Sequence, residues 1–513
     1  MTKALKKLKQ IITSRVMAIS LLLLLQISVI ILLVVKLSKY FAFVYVGFML
    51  LSLAVFLYVI NKNDNPAYKL AWAVPIMIFP LFGGIFYLLL GSHKVNKYLL
   101  KRIADINIET HEIMVNDLQS ATNLMEKDYE AYRQASYLKN MGFPVYENTD
   151  TTFHPIGESK FEALMERLNN AKDFIFLEYF IIEGGYMWDS ILEVLERKVK
   201  EGVEVRVMYD SFGCLLTLPE KYYDTLRKKG IKCIEFNPLI PVVTLLMNNR
   251  DHRKIAVIDG QYGFMGGINL ADEYINRYEK YGHWKDAALE IHGDAVKSLT
   301  CMFLSMWQSV TGKRENYLRY TSKTKPVPES RGFVQPYCDS PLDDELVGEM
   351  TYLNMINRAD KYIYITTPYL IIDNESITAL TLAAKSGVDV RIITPHVPDK
   401  WYVHMVSRAY YSQLVNNGVK IYEYTPGFIH AKTFVADDEI ATVGTVNLDY
   451  RSLYLHFECG IWMFKTPVIK DMKADFLKTL EVCMPVTADS PLIKVRGIKK
   501  LLRAVLRMFA PLM

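Results

Sequence analysis

Two stretches of the chain carry the same reactive side chains at the same spacing. The first is His252-x-Lys254-x4-Asp259, followed by Gly266-Gly267-x-Asn269. The second is His430-x-Lys432-x4-Asp437, followed by Gly444-Thr445-x-Asn447. Histidine is the side chain that can attack or carry a proton near neutral pH. A lysine two residues on is a point charge with three donors, suited to a phosphate oxygen. A spacing of two puts both side chains on one face of a strand. Asn269 and Asn447 each add a neutral donor. A lone His-x-Lys usually marks an exposed strand, but that leaves the shared tail unexplained. Two histidines, two lysines and two asparagines converging on one phosphodiester account for it.

The elements that must position these groups repeat as well. Ala171-Lys172-Asp173-Phe174-Ile175-Phe176 echoes Ala359-Asp360-Lys361-Tyr362-Ile363-Tyr364 at an offset of 188 residues. Lys200-Glu201-Gly202-Val203 echoes Lys385-Ser386-Gly387-Val388 at 185. Short apolar strands alternate with helical patterns such as Met187–Lys200, which predicts an α/β fold with helix-covered sheets. We read repeat one as 146–330 and repeat two as 331–490, with the Lys-, Ser-, Thr- and Pro-rich stretch 311–330 as the linker. The motifs are offset by only 178 residues, so repeat one carries about ten extra residues before its histidine. They are apolar, Leu239–Met247, and either touch lipid chains or tuck into the core.

The double motif resembles the phospholipase D superfamily. The surrounding text resembles the bacterial cardiolipin synthases: Phe176-Leu177-Glu178-Tyr179-Phe180, Gln335-Pro336-Tyr337-Cys338-Asp339-Ser340-Pro341, Ile365-Thr366-Thr367-Pro368-Tyr369 and Asn447-Leu448-Asp449-Tyr450-Arg451-Ser452. The resemblance covers essentially the whole chain. It implies two tandem phospholipase D-like repeats packed around one shared site, preceded by a transmembrane helical region. One histidine would attack phosphorus and form a phosphohistidine while the other moves the proton. By analogy with two-motif relatives, His252 is the nucleophile. The implied catalytic set is His252, Lys254, Asp259, His430, Lys432 and Asp437, with the two aspartates holding their strands rather than doing chemistry. Asn269, Asn447, Gly267 and Thr445 would receive the phosphate. Glu458, 28 residues past His430, would orient a histidine; Asp286 matches more loosely in repeat one, with Glu290 as the alternative. His283, His292 and His456 have no motif position and receive no role.

The 513 residues are 51% hydrophobic, and the excess lies near the N-terminus. Residues 1–102 read as a membrane region, because twenty apolar residues suffice to cross a bilayer. Spans are predicted at about 16–35 and 41–60. The third apolar segment, 70–90, contains Pro75, Pro80, Gly83 and Gly84, which disfavour one straight helix, so it reads as re-entrant or interfacial. Basic residues flank both ends of this region, at Lys3–Arg15 and Lys94–Arg102. Positive flanks stay inside. Two crossings then put the catalytic part on the cytoplasmic face of a bacterial cell membrane; three straight spans would put it outside.

Residues 103–145 read as a helical connector, and 491–513 as a basic amphipathic helix on a membrane surface. A helix docked on the protein with its basic face in solvent is the alternative. The net charge of +5 and its placement favour anionic membrane lipid and phosphatidylglycerol as partners. No long basic groove pattern points to nucleic acid. Oligomeric state is not readable. The six cysteines form no C-x-x-C or Cys/His cluster, so neither metal nor other cofactor is expected. The catalytic residues alone do not separate a transferase from a hydrolytic phospholipase D or a nuclease. Because lysine and asparagine supply the positive donors, dialysis against a chelator should leave turnover unchanged. A loss restored specifically by magnesium or zinc would contradict this reading.

Overall fold

The structure, a computed structural model, describes residues 41–63, 65–79, 82–90, 97–114, 119–238, 249–343 and 345–512, with isolated residues at 24, 27–28 and 31–32. The chain divides into two units, residues 1–95 with 238–249, and residues 96–237 with 250–511. In the first, the helix Phe41–Asn61 occupies the predicted second span and carries no charged residue. The helix Pro66–Ile78 and the short helix Gly83–Leu90 pack back on it around Val55, Val59, Trp72, Ile76 and Tyr87. Gly83 and Gly84 permit this return. A Cβ on Gly83 would meet the Ile76 backbone at 2.5 Å, and one on Gly84 would meet Ser52 at 2.7 Å. The apolar segment 70–90 is thus broken, as its prolines and glycines require. Among the described residues no helix is long and apolar enough to cross a membrane. The predicted span at 16–35 falls almost wholly outside the described residues, as does the apolar insertion Leu239–Met247.

The second unit opens with helices Lys97–Met114, Gln119–Lys127 and Tyr129–Asn140. Nine strands follow: β1 (Thr149–His154), β2 (Phe174–Tyr179), β3 (Glu204–Asp210), β4 (Lys232–Phe236), β5 (Arg250–Asp251), β6 (Ile255–Ile258), β7 (Tyr262–Gly266), β8 (His283–Lys285) and β9 (Ala288–Gly293). Eleven more come after residue 332: β10 (Phe333–Asp339), β11 (Tyr362–Thr366), β12 (Leu370–Ile371), β13 (Asp389–Pro395), β14 (Lys420–Tyr424), β15 (Gly427–Ile429), β16 (Thr433–Ala436), β17 (Ile440–Gly444), β18 (Leu448–Asp449), β19 (His456–Phe464) and β20 (Cys483–Val486).

The first sheet runs β1-β9-β7-β6-β2-β3-β4, and the second runs β10-β19-β17-β16-β11-β13-β14-β20. Strand for strand, the first seven positions correspond, so the repeat in the text is a repeat in topology. In each sheet three neighbouring strands run parallel, β2-β3-β4 and β11-β13-β14. They are buried on both faces, which is why β2 reads as Phe-Ile-Phe-Leu-Glu-Tyr without alternation. One apolar core joins the sheets, taking Ile255, Val257 and Met265 from the first and Val435, Val443 and Ile461 from the second. The stretch 311–330 is mostly exposed but is anchored to this core by Tyr320, which packs edge-on against Phe174 and Phe176 and whose hydroxyl accepts from Arg206.

The motif aspartates explain how the strands are fixed. Asp259 sits just past β6 at φ +54° and accepts from the N–H groups of Lys172, Asp173 and Phe174 at 2.7–2.9 Å. Asp437, at the same φ past β16, accepts from Asp360, Lys361 and Tyr362 over the same range. Each carboxylate therefore ties its hairpin to the turn that starts the adjacent antiparallel strand, β2 or β11. These bonds occupy both carboxylates at the strand turns. Asp437→Ala should destabilise the unit by about 3 kcal/mol, the scale for losing charged hydrogen bonds. Thermal melting would show it as a lowered Tm. Turnover per folded molecule should hold within about threefold; a collapse of turnover without a change in Tm would refute the anchoring role.

Candidate active site

Two short strand pairs cross between the repeats and bring the motifs together. Strand β5, immediately before His252, pairs in parallel with the start of β19, Arg250 opposite His456 and Asp251 opposite Phe457. The His252 N–H donates to Phe457 O at 3.0 Å. Reciprocally β15, just before His430, pairs in parallel with β8, and the His430 N–H donates to Lys285 O at 2.7 Å. Each histidine is thus carried by its own repeat and laid against the other repeat's acidic strand.

The acids follow from the register. Gly266 faces Ala288 and Gly444 faces Gly460. Asp286 and Glu458 both stand two residues before those partners, and so are equivalent. His252 Nδ1 lies 2.9 and 3.0 Å from the two Glu458 oxygens, and His430 Nδ1 lies 2.7 Å from Asp286 Oδ2. The pairing is crossed: each repeat's acid holds the other repeat's histidine. Glu290, the alternative to Asp286, is engaged elsewhere with His154 and Arg167.

All six groups are buried, and burial dominates their protonation. It pulls the His430 imidazole down to about 4, with Lys432 adding to the effect, and holds His252 well below its usual value, helped by Lys254 and Lys432. Both rings are neutral in the free site. A neutral ring that donates Nδ1–H to a carboxylate presents its lone pair on Nε2. Burial also lowers Lys254 to about 8 and Lys432 to about 7, against the pull of Glu458 on the first and of Asp286 on the second. Burial pushes Asp286 upward, yet His430 and Lys432 beside it keep its carboxyl below the ordinary range. Both lysine ammonium groups donate to the carbonyl of their own motif histidine.

The predicted phosphate-binding set divides. Thr445 instead donates to Glu458 Oε2 at 2.5 Å, while Ser452 donates to Oε1 at 2.7 Å. Gly267 makes room for the acid: a Cβ there would lie 2.1 Å from the Asp286 carboxylate. Asn269 accepts from the Ile181 N–H at 3.0 Å and donates to the Tyr274 hydroxyl at 2.7 Å, which leaves one N–H for a ligand. Asn447 is buried with its Oδ1 unpartnered.

Sequence reasoning passed over His456. Its ring centroid is 5.4 Å from that of His252, and its Nδ1 lies 3.6 Å from Glu458. The signal was present in His456-x-Glu458, two residues apart on one strand face. Its counterpart by register is Trp284, which packs on His430 at 5.5 Å together with Tyr274 and Phe428. One histidine therefore has an imidazole neighbour and the other an aromatic box. His252, His456 and Glu458 also bring ligand atoms within 4.8 Å of one another. That carboxylate already accepts from three side chains, and two lysines disfavour positive charge at His252. The donor set is poorly matched to a cation.

Comparison with known proteins agrees with this geometry. A family model described as "Cardiolipin synthase, PLD-like domain" matches residues 164–307 and 352–480, and one described as "Phospholipase_D-nuclease N-terminal" matches 50–92. A "Cardiolipin synthase" of Geobacillus sp. is 35% identical over 454 residues, 88% of this chain and 90% of its own length. A "Cardiolipin synthase 2" of Bacillus cereus is 34% identical over 460 residues, 88% of both chains. The crystal structure of a phosphatidylserine synthase of Haemophilus influenzae shares the fold, with a TM-score of 0.56 at 14% identity, over 75% of this chain and 98% of that one.

An anion entering this site meets lysines whose protons burial has loosened. Affinity for a soluble dialkyl phosphodiester, whose own charge is constant near neutrality, should fall as pH rises through about 7 to about 8. Ordinary lysines would hold it to about 10. Calorimetric titration at each pH gives the profile, and affinity flat from pH 7 to 9 would count against lysine contact with the phosphate.

Proposed function

Since the chain belongs to the cardiolipin synthase family of the phospholipase D superfamily, we propose that it joins two phosphatidylglycerols into cardiolipin and releases glycerol through a phosphohistidine. The observation that carries this reading is the pair of crossed histidine–carboxylate couples in one buried site. Two such couples supply what a double displacement needs, one nucleophile and one proton carrier.

We assign attack to His252. The assignment follows the two-motif analogy, since burial and lysines 254 and 432 lower both imidazoles. His430 is then the proton carrier, and Asp286, whose carboxyl is kept below the ordinary range, stabilises its imidazolium. An anionic phosphodiester raises its proton affinity further on binding. His430 takes up a proton as the anionic phosphodiester binds; the Nε2–P bond then forms as the P–O bond to glycerol breaks, and His430 gives that proton to the departing oxygen. His430 then takes the proton of the second phosphatidylglycerol's hydroxyl, whose oxygen attacks phosphorus and breaks the N–P bond. Lys254 and Lys432, with the remaining N–H of Asn269, balance the charge on the phosphoryl oxygens.

Placement follows from the same reading. The apolar N-terminal region, with basic residues at both ends, fits a multi-pass protein of the bacterial cell membrane whose catalytic unit faces the cytoplasm. Deep burial of the two histidines and two lysines keeps bulk water from competing with the lipid hydroxyl, and a positioned acceptor gains an effective concentration far above that of free solute.

Purified protein given phosphatidylglycerol alone should yield cardiolipin and glycerol in equal amounts. Either His252→Ala or His430→Ala alone should lower the rate by about a thousandfold or more. Labelled glycerol should exchange into phosphatidylglycerol through the first half-reaction. Cardiolipin formation without label in the donor lipid would overturn the covalent intermediate, and phosphatidic acid as the sole product would make the chain a hydrolase.

A further inference from the structure

The C-terminal helix Ile498–Met508 docks inside out. Its arginines face the protein: Arg503 donates to Arg408 O and Leu492 O, and Arg507 donates to the Gln413 amide oxygen and lies 4.6 Å from the centre of the Tyr410 ring. Those contacts seat it on the helix Trp401–Val415. No residue of the C-terminal helix is buried. Ile498, Leu501, Leu502 and Val505 fall at i, i+3, i+4 and i+7, so they form one stripe. That stripe is turned to solvent, with Ile498 81% and Leu501 64% exposed. Both readings made from the sequence left the basic face outward or on lipid; the structure turns Arg503 and Arg507 to the protein, keeps Lys499 and Lys500 exposed, and leaves the apolar stripe uncovered.

We propose that this stripe is a docking surface for an anionic lipid bilayer, and that it holds the catalytic unit against its substrate. The inference rests on the phosphatidylglycerol reading for its purpose. Three features select a bilayer over a second copy of the chain. Lys494, Arg496, Lys499 and Lys500 are exposed around the stripe; they complement anionic headgroups and would repel an identical helix. Four side chains make a stripe narrow enough for interfacial insertion and small for a stable protein interface. The surface also continues toward the site. Trp401 opens the supporting helix with 62% exposure, stacked edge-on against the partly exposed Tyr402, and such residues favour the membrane interface. The charge of the adjacent Lys400 is felt at His252.

The test uses the full chain in vesicles of phosphatidylglycerol and phosphatidylcholine, with and without brominated acyl chains. An environment-sensitive dye is placed at Val505→Cys and, separately, at Leu501→Cys, and the signal of the unsubstituted chain is subtracted. Insertion predicts a blue-shifted emission that bromine quenches at both positions. In parallel, Leu501→Ser/Val505→Ser should lower the rate on vesicles about tenfold and leave the rate on detergent-dispersed lipid within about twofold. Unquenched dye overturns the proposal. So does equal loss in the two assays, which makes the stripe a folding element, or disulfide cross-linking of Val505→Cys between copies, which makes it a self-association face. Quenching needs no turnover, so a quenched chain that makes no cardiolipin would sink the catalytic reading and leave this one standing.

Discussion

The crossed hydrogen bonds, Glu458 to His252 and Asp286 to His430, are the constraint from which the rest of the catalytic unit follows. An imidazole works as nucleophile or proton carrier only when its tautomer and orientation are fixed. Here the fixing group always comes from the other half of the chain. That requires β5 to reach β19 and β15 to reach β8. Those pairings require the two sheets to share one core, and the shared core requires strand interiors that are largely apolar. The burial that results lowers the histidines and lysines together. It disfavours charge on the imidazoles and lysines of the empty site, and an arriving phosphodiester restores it.

Around this frame the two halves are not equal. Glu458 reaches His252 with a longer side chain and is steadied by Thr445 and Ser452. Asp286 is shorter and sits in the space that Gly267 leaves. His252 has the imidazole of His456 beside it, and His430 has Trp284, Tyr274 and Phe428. A symmetric scaffold thereby surrounds its two histidines differently.

Much of this was legible in the text. The double His-x-Lys pattern and the echoing strands gave the repeats, because strand periodicity and buried apolar runs are local properties. Asp286 was found by a loose match, and its register now explains why: it is the topological twin of Glu458. What stayed hidden depended on contacts across the fold. Nothing in the order of residues says that Glu458 serves His252, since the pairing joins positions 206 apart. Thr445 reads as a phosphate ligand, yet its hydroxyl takes a nearer partner, the Glu458 carboxylate, and Asn269 keeps only one N–H after bonding a backbone amide and a tyrosine hydroxyl. Helical periodicity revealed two faces on Ile498–Met508; which one meets the protein was decided by arginines finding carbonyls and a tyrosine ring.

The crossed strands also bear on how the chain is made. Synthesis runs from the N-terminus, so Arg250 and Asp251 leave the ribosome about two hundred residues ahead of His456 and Phe457, the positions they must pair with. At bacterial elongation rates of about 5–20 residues per second, that edge waits tens of seconds for its partner. During the wait repeat one holds a complete sheet and an incomplete site, with His252 lacking its carboxylate. Two charged side chains on a two-residue strand make a poor template for stray pairing. The nascent protein thus guards its open edge through shortness and charge, and gains reactivity only once the second half has been delivered.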